Sequence, residues 1–273
     1  YVFRTQKFDM DLSVFAIIGL PVVVSLLAVR WVYFKILKIA KEKNLVDNPD
    51  ARKLQKVPVP VVGGLAVFFG LLFGLLCGIT MMNLFAGDIG MLSGIVSVNR
   101  LLPIVLGMSI MLYVGCMDDI MGLSPKARFL IEILVILGLI YSSGISVDSL
   151  HGLWGIDDIP SVVAVPLTIF AGVGIINAIN MVDGVNGLSS GLCITCSMLF
   201  GLQFFCIGDY VNAVLAFSVA SSLFRFFVHN VFGNQSRMFI GDAGTMVMGV
   251  LMTWFVMCSM HDAGRGMILD YAY

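Results

Sequence analysis

Four short blocks of this 273-residue chain hold carboxylates, amides and cations at spacings suited to phosphate chemistry. The first runs Asp47-Asn48-Pro49-Asp50-Ala51-Arg52-Lys53 and continues through Lys56, Pro58 and Pro60 to Gly63-Gly64. Arg52 offers a planar fork, and Lys53 and Lys56 offer mobile point charges, for phosphate oxygens. The prolines stiffen this segment, and the paired glycines admit close backbone approach. The same charges would also suit a juxtamembrane patch that sets topology or touches anionic lipid. The second block is Asp118-Asp119, followed by Leu123-Ser124-Pro125-Lys126. Adjacent carboxylates at the end of an apolar run are costly beside hydrocarbon unless a cation lies with them. A hard cation such as Mg²⁺ takes oxygen ligands and keeps waters and substrate phosphates in its shell. Another pair, Asp157-Asp158, sits among polar and turn residues, so a bare pair of aspartates says little and position must decide.

In the third block Asn177, Asn180 and Asp183 recur every three residues, which places them on neighbouring parts of one helical face. Buried amides without partners cost about 1–3 kcal/mol each, so this face should look into a polar pocket. Interhelical amide bonding is the competing use of such a row. Gly184 and Gly187 then open a tight turn around Asn186. The fourth block is Phe239-Ile240-Gly241-Asp242-Ala243-Gly244-Thr245. Asp242 there either caps a helix or serves as a metal carboxylate, with the glycines clearing room for a phosphate.

The elements that must position these blocks are membrane helices. Fifty-nine per cent of residues are hydrophobic and 12% charged, with a mean hydropathy of +0.99. A soluble domain runs near 45–50% and 25%, so soluble, disordered and disulfide-rich classes are excluded. The net charge of −1 gives no basic field for nucleic acid. The six cysteines all lie in apolar runs and read as small packing residues. A spanning helix needs roughly 20 apolar residues. Eight such runs are expected, at about 12–34, 61–84, 101–117, 127–145, 162–182, 187–207, 210–228 and 243–260. The fold class is therefore an all-α polytopic helical bundle, one membrane-embedded domain over 1–273. Alternating sides places eleven Lys and Arg on the face that holds all four blocks and four on the other. The positive-inside rule puts the eleven in the cytoplasm and the N-terminus outside. His229 closes the seventh run, where an interfacial role is expected rather than catalysis.

Together the blocks resemble those of the polyprenyl-phosphate N-acetylhexosamine-1-phosphate transferases, over about residues 12–260. The matching pattern is Asp47-x-Pro49-x-x-Arg52-Lys53 to Gly63-Gly64, Asp118-Asp119 with Leu123-Ser124-Pro125-Lys126, Asn177-x-x-Asn180-x-x-Asp183-Gly184-x-Asn186-Gly187, and Phe239-x-Gly241-Asp242-x-Gly244-Thr245. Each block alone is weak, and four in order on one face are strong. The resemblance implies that undecaprenyl phosphate attacks the β-phosphorus of a UDP-N-acetylhexosamine at the cytoplasmic leaflet of the bacterial inner membrane, releasing UMP. It implies Mg²⁺ as cofactor, with Mn²⁺ as a substitute, and leaves room for a homodimer. By the same resemblance Asp242 is a metal ligand with Asn180 as a second, and Asp118 and Asp119 form a catalytic pair. Arg52, Lys53, Lys56, Asn177, Asp183, Asn186, Asn230 and Phe239 bind substrate. Two departures stand out. Gln55 replaces a His carried by many relatives, and a His- and Arg-rich loop with further helices, expected beyond the eighth run, is absent from the 273 residues. The first block favours a UDP-N-acetylglucosamine substrate over the muramoyl-pentapeptide one. An ion-coupled transporter is the rival from another class; it would place its ionisable groups near the membrane midplane on broken helices.

Overall fold

A computed structural model describes residues 12–47, 58–85, 94–233 and 236–261. The order is α1 (Leu12–Glu42), β1 (Val46–Asp47), β2 (Val59–Pro60), α2 (Gly63–Leu84), α3 (Gly94–Met121), α4 (Pro125–Ser143), a 3₁₀ turn at Leu153–Gly155, α5 (Ser161–Val182), α6 (Leu188–Cys206), α7 (Tyr210–Phe232) and α8 (Gly241–Ser259). Among the described residues, eight long helices stand where eight runs were expected, and seven of them are long and apolar enough to cross a membrane. The exception is α4, which carries Lys126, Arg128 and Glu132 near its start. An Arg or Lys at the centre of a membrane helix costs about 2.5–3.5 kcal/mol, so these charges need another environment. The first and third helices also differ from expectation. α1 continues past residue 34 to Glu42, and α3 begins at Gly94. The added stretch of α1, KILKIAKE, is made of good helix formers, so charge ends its apolar character without ending the helix.

Two helices form the centre. α8 packs on α3, α5 and α2, and buries every residue from Ala243 to Phe255. α7 packs on α6, α1 and α2. Small residues bring backbones together at the start of α8. A Cβ at Gly64 of α2 would lie 2.4 Å from the Gly244 nitrogen, and one at Gly115 of α3 would lie 2.4 Å from the Ala243 Cα. With little hydrophobic drive between helices in lipid, such close packing is a main source of their attraction.

The connections hold the same end of the bundle. β1 and β2 pair antiparallel, with Asp47 opposite Val59. The Phe239 amide donates to the Pro60 carbonyl at 2.7 Å, and the Gly63 and Gly64 amides donate to the Phe239 and Ile240 carbonyls at 2.9 and 2.8 Å. Two of α2's unpaired first-turn amides are thereby satisfied. Ser124 caps α4, its hydroxyl accepting the Ala127 amide at 3.3 Å, with Pro125 in the first helical position. At the far end, Asp148 and Ser149 bond through their amides to the Met260 carbonyl, closing 144–160 over the end of α8.

Candidate active site

Asp118 and Asp119 are neighbours with different partners. Asp119 accepts the Asp242 amide at 2.9 Å through Oδ1 and the Ala243 amide at 3.1 Å through Oδ2. It caps the first turn of α8 from another helix, where amides lack intrahelical partners and the helix dipole favours negative charge. Gly241 permits this approach. Its φ is +74°, and a Cβ there would lie 2.3 Å from the Val61 carbonyl and 2.7 Å from Asp119 Oδ2.

Asp118 is held by its own loop. Its Oδ1 accepts the Leu123 amide at 2.7 Å, and its Oδ2 accepts Arg128 Nη1 at 3.4 Å. Arg128 Nε donates to Glu132 Oε1 at 3.2 Å, and Asn177 Nδ2 donates to Glu132 Oε2. Glu132 is 0% exposed. A buried charge survives only when paired and hydrogen-bonded, and Glu132 has both. The chain Asn177–Glu132–Arg128–Asp118 thus carries one fixed cation to the carboxylates.

Asp242 closes the group. Its Oδ1 accepts from Asn180 Nδ2, which also donates to Thr245 Oγ1 at 2.8 Å. The Asp242 carboxyl lies beside that of Asp118, within the field of Arg128. Asp183 follows the last residue of α5 and takes the Ser189 hydroxyl from α6. Burial pushes the Asp183 carboxyl up to about 6; the Ser189 bond opposes this rise and the charge of Asp242 adds to it.

The other expected residues fall as follows. Asn186 is exposed in the α5–α6 turn. Phe239 is half-buried, its backbone fixed between β2 and α2. Asn230 is buried and donates to the Met238 carbonyl at 3.0 Å, so it shapes the segment that leads to Phe239. Arg52, Lys53 and Lys56 lie outside the described residues. Sequence reasoning missed Arg128 and Glu132 as site residues. The signal was present, since Glu132 is the one acidic residue in the fourth apolar run, and ionisable residues in such runs mark function by default.

Among the described residues no three His, Cys, Asp or Glu side chains form a ready metal cage. The donor set still fits one kind of ion. Two carboxylates side by side, Asp118 and Asp242, offer hard oxygens and leave coordination positions for water and phosphate. Mg²⁺ is usually held through one or two carboxylates plus substrate phosphates. A closed structural zinc site, which needs four nitrogen or sulfur ligands, does not fit. Asn180 presents its amide nitrogen, not its oxygen, to Asp242 and thereby orients that carboxylate.

The chain is similar in sequence to known proteins. The family described as glycosyl transferase family 4 matches residues 101–260, which contain every carboxylate of the site. A Bacillus subtilis (strain 168) protein named as a probable undecaprenyl-phosphate N-acetylglucosaminyl 1-phosphate transferase is 31% identical over 235 residues, 83% of this chain and 59% of its own length. The undecaprenyl-phosphate alpha-N-acetylglucosaminyl 1-phosphate transferase of Escherichia coli (strain K12) is 27% identical over 81% of the chain and 56% of its own length. Its counterpart in Yersinia pestis is 28% identical over 81% and 57%. The chain thus spans a little over half the length of these relatives.

Proposed function

From the premise that this chain belongs to glycosyl transferase family 4, we propose that it carries the catalytic carboxylates of an enzyme that transfers N-acetylglucosamine-1-phosphate from UDP-N-acetylglucosamine to undecaprenyl phosphate. An oxygen of the lipid phosphate bonds to the β-phosphorus of the nucleotide. The bond from that phosphorus to the bridging oxygen breaks, and UMP leaves. The lipid-linked pyrophosphoryl sugar would start a cell-envelope glycan. The observation that carries the reading is the capping of α8 by Asp119, which sets Asp242 beside Asp118 although they are far apart in sequence.

The barrier is electrostatic, because an anion approaches a phosphorus already surrounded by negative oxygens. Fixed charges aimed at that position are the main lever such sites use. Mg²⁺ bound through Asp242 and Asp118 would supply Lewis-acid neutralisation of the diphosphate. Arg128, locked by Glu132, supplies a permanent cation beside the same carboxylates. Asn180 and Asp119 fix the side chain and backbone of Asp242. Asn186 and the ring of Phe239 are assigned to the uridine, and Arg52, Lys53 and Lys56 to phosphate oxygens. The site faces the cytoplasm, by the excess of Lys and Arg on its side.

A transporter would gather its ionisable groups at mid-membrane. Here Asp118 and Asp119 lie in the last turn of α3, Asp183 just after α5, and Asp242 in the first turn of α8. This arrangement favours chemistry at a membrane face. The test is UMP release by the full-length protein from UDP-N-acetylglucosamine, undecaprenyl phosphate and Mg²⁺. Asp242→Asn is expected to lower it by about 100-fold or more, while Asp157→Asn in the far loop leaves it unchanged. Near-parental turnover in Asp242→Asn would remove the assigned role.

A further inference from the structure

Away from the carboxylates, α1 and α7 pack along one another and bring together basic groups that the transferase chemistry does not use. The ring of His229 on α7 stacks on Tyr33 of α1 at 4.7 Å and meets the Phe34 ring edge-on at 5.2 Å. The Tyr33 hydroxyl donates to the Ser236 carbonyl at 2.6 Å, tying this seam to the segment after α7. Arg30 precedes Phe34 by four residues, and Arg225 precedes His229 by four. Each arginine therefore lies one turn, about 5.4 Å, deeper along its helix. The positive charges of both bear on His229.

Among the described residues, neither arginine has an ion-pair partner. Arg225 Nε and His229 Nε2 are buried with no hydrogen-bond partner. Arg237 Nε, at the mouth of the seam, is in the same condition, although its Nη2 reaches the Val231 carbonyl at 3.4 Å. Positive charge without a counter-ion, on helices apolar enough to span a bilayer, costs energy that an anion would offset. Snorkelling relieves an arginine whose head reaches water, but it does not serve nitrogens that are already covered.

The surroundings indicate the direction from which that anion comes. Arg30 stands in an exposed stripe of α1 with Leu27, Trp31 and Phe34. Lys35 Nζ sits 4.1 Å from the centre of the Trp31 ring. Exposed Trp beside Lys is the signature of the headgroup level. An anion that meets this stripe arrives on an apolar tail.

We infer that Arg30, Arg225 and His229 form a binding site for a lipid-borne phosphate at the α1–α7 seam. It is separate from the carboxylate site, whose residues come from α3, α4, α5 and α8, and it does not rest on the transferase reading. Two lipids carry the required chemistry, a polyprenyl monophosphate and a bulk anionic phospholipid.

The test uses the full-length protein in neutral detergent. Undecaprenyl phosphate, phosphatidylglycerol and diacylglycerol are titrated in turn, and retained lipid is counted by native mass spectrometry. The parent is expected to keep one more phosphate-bearing lipid than Arg30→Gln/Arg225→Gln, and Arg30→Gln alone is expected to bind it at least five-fold more weakly. Arg225→Lys, which preserves the charge, should retain it. Because Arg30 is exposed, Arg30→Gln should fold and keep the parental kcat at saturating acceptor. Retention of undecaprenyl phosphate alone would identify a holding site for the acceptor; equal retention of phosphatidylglycerol would identify a site for bulk anionic lipid. Equal retention of both by the parent and both Gln variants overturns the proposal. So does a parallel loss of diacylglycerol, or displacement of the lipid by inorganic phosphate at equal concentration.

Discussion

Glu132 shows how one side chain can set the chemistry of another. It bonds to Arg128 and Asn177 rather than to Asp242 or Asp119, yet it holds Arg128 by Nε and leaves Nη1 to reach Asp118. Glu132→Gln keeps an acceptor for Arg128 and is expected to lower kcat about ten-fold with little change in KM, as for a lost transition-state interaction. Glu132→Leu leaves Arg128 and Asn177 without that partner and is expected to cost about 3–5 kcal/mol of stability, the usual loss when half of a buried pair is removed. Thermal unfolding of both variants separates positioning from packing. Asp183 makes the opposite prediction. Its carboxyl is raised by burial to about 6, above the ordinary value near 3.9. The folded state therefore holds the proton longer than the unfolded state, and stability falls as pH rises from about 4 to about 6. With EDTA present, Asp183→Asn should match the parent at pH 4 and exceed it at pH 7.5 by on the order of 1–3 kcal/mol. Equal stability at both pH values would mean that this carboxyl titrates normally.

The helix starts and ends are where backbone and site meet. Capping of α8 by Asp119, the clamp of residues 239–240 on α2, and the contacts at Gly64 and Gly115 all locate the first turn of one helix. Overpacking a tight contact costs typically about 1–3 kcal/mol. Gly115→Ala, which drives a methyl group against the Ala243 backbone, is expected to destabilise by that amount and to reduce UMP release through displacement of Asp242. Gly138→Ala, in the interior of α4, meets nothing within 4 Å and should not destabilise; the better helix propensity of Ala is expected to add about 0.5–1 kcal/mol. The pair, compared by thermal unfolding and assay, shows whether contact geometry rather than loss of glycine matters.

At the scale of the molecule, the bundle has a site end and a far end. The far end carries 144–160, where Trp154 is 84% exposed and the Ser149–Asp158 bridge closes the loop. In a cysteine-free background, a cysteine at Asn186 should label with an impermeant reagent only after the membrane is opened. One at Trp154 should label from outside in intact cells. The reverse pattern would invert the assigned sides.

Much of this was legible in the sequence. Apolar runs long enough to span a bilayer specify helices because every backbone polar group must be paired within lipid. The side of each loop follows from counting spans, so the four blocks fall at one end before any coordinates are known. The motif residues Asp118, Asn177, Asn180, Asp183 and Asp242 were identified by type and spacing. The sequence did not determine the partners of each oxygen. Asp118 and Asp119 are equivalent in sequence, yet one bonds to the amides of a helix more than a hundred residues away and the other to an arginine ten residues on. Glu132 and Arg128 belong to none of the four blocks, and only packing puts Asn177 and Asp118 within their reach. The seam of Arg30, Arg225 and His229 joins α1 to α7 and has no motif. Local pattern fixes which segments become helices, because that choice depends on near neighbours. Only the tertiary structure decides which carboxylate caps a helix and which is paired with an arginine beside Asp242, because that depends on where distant helix ends come to rest.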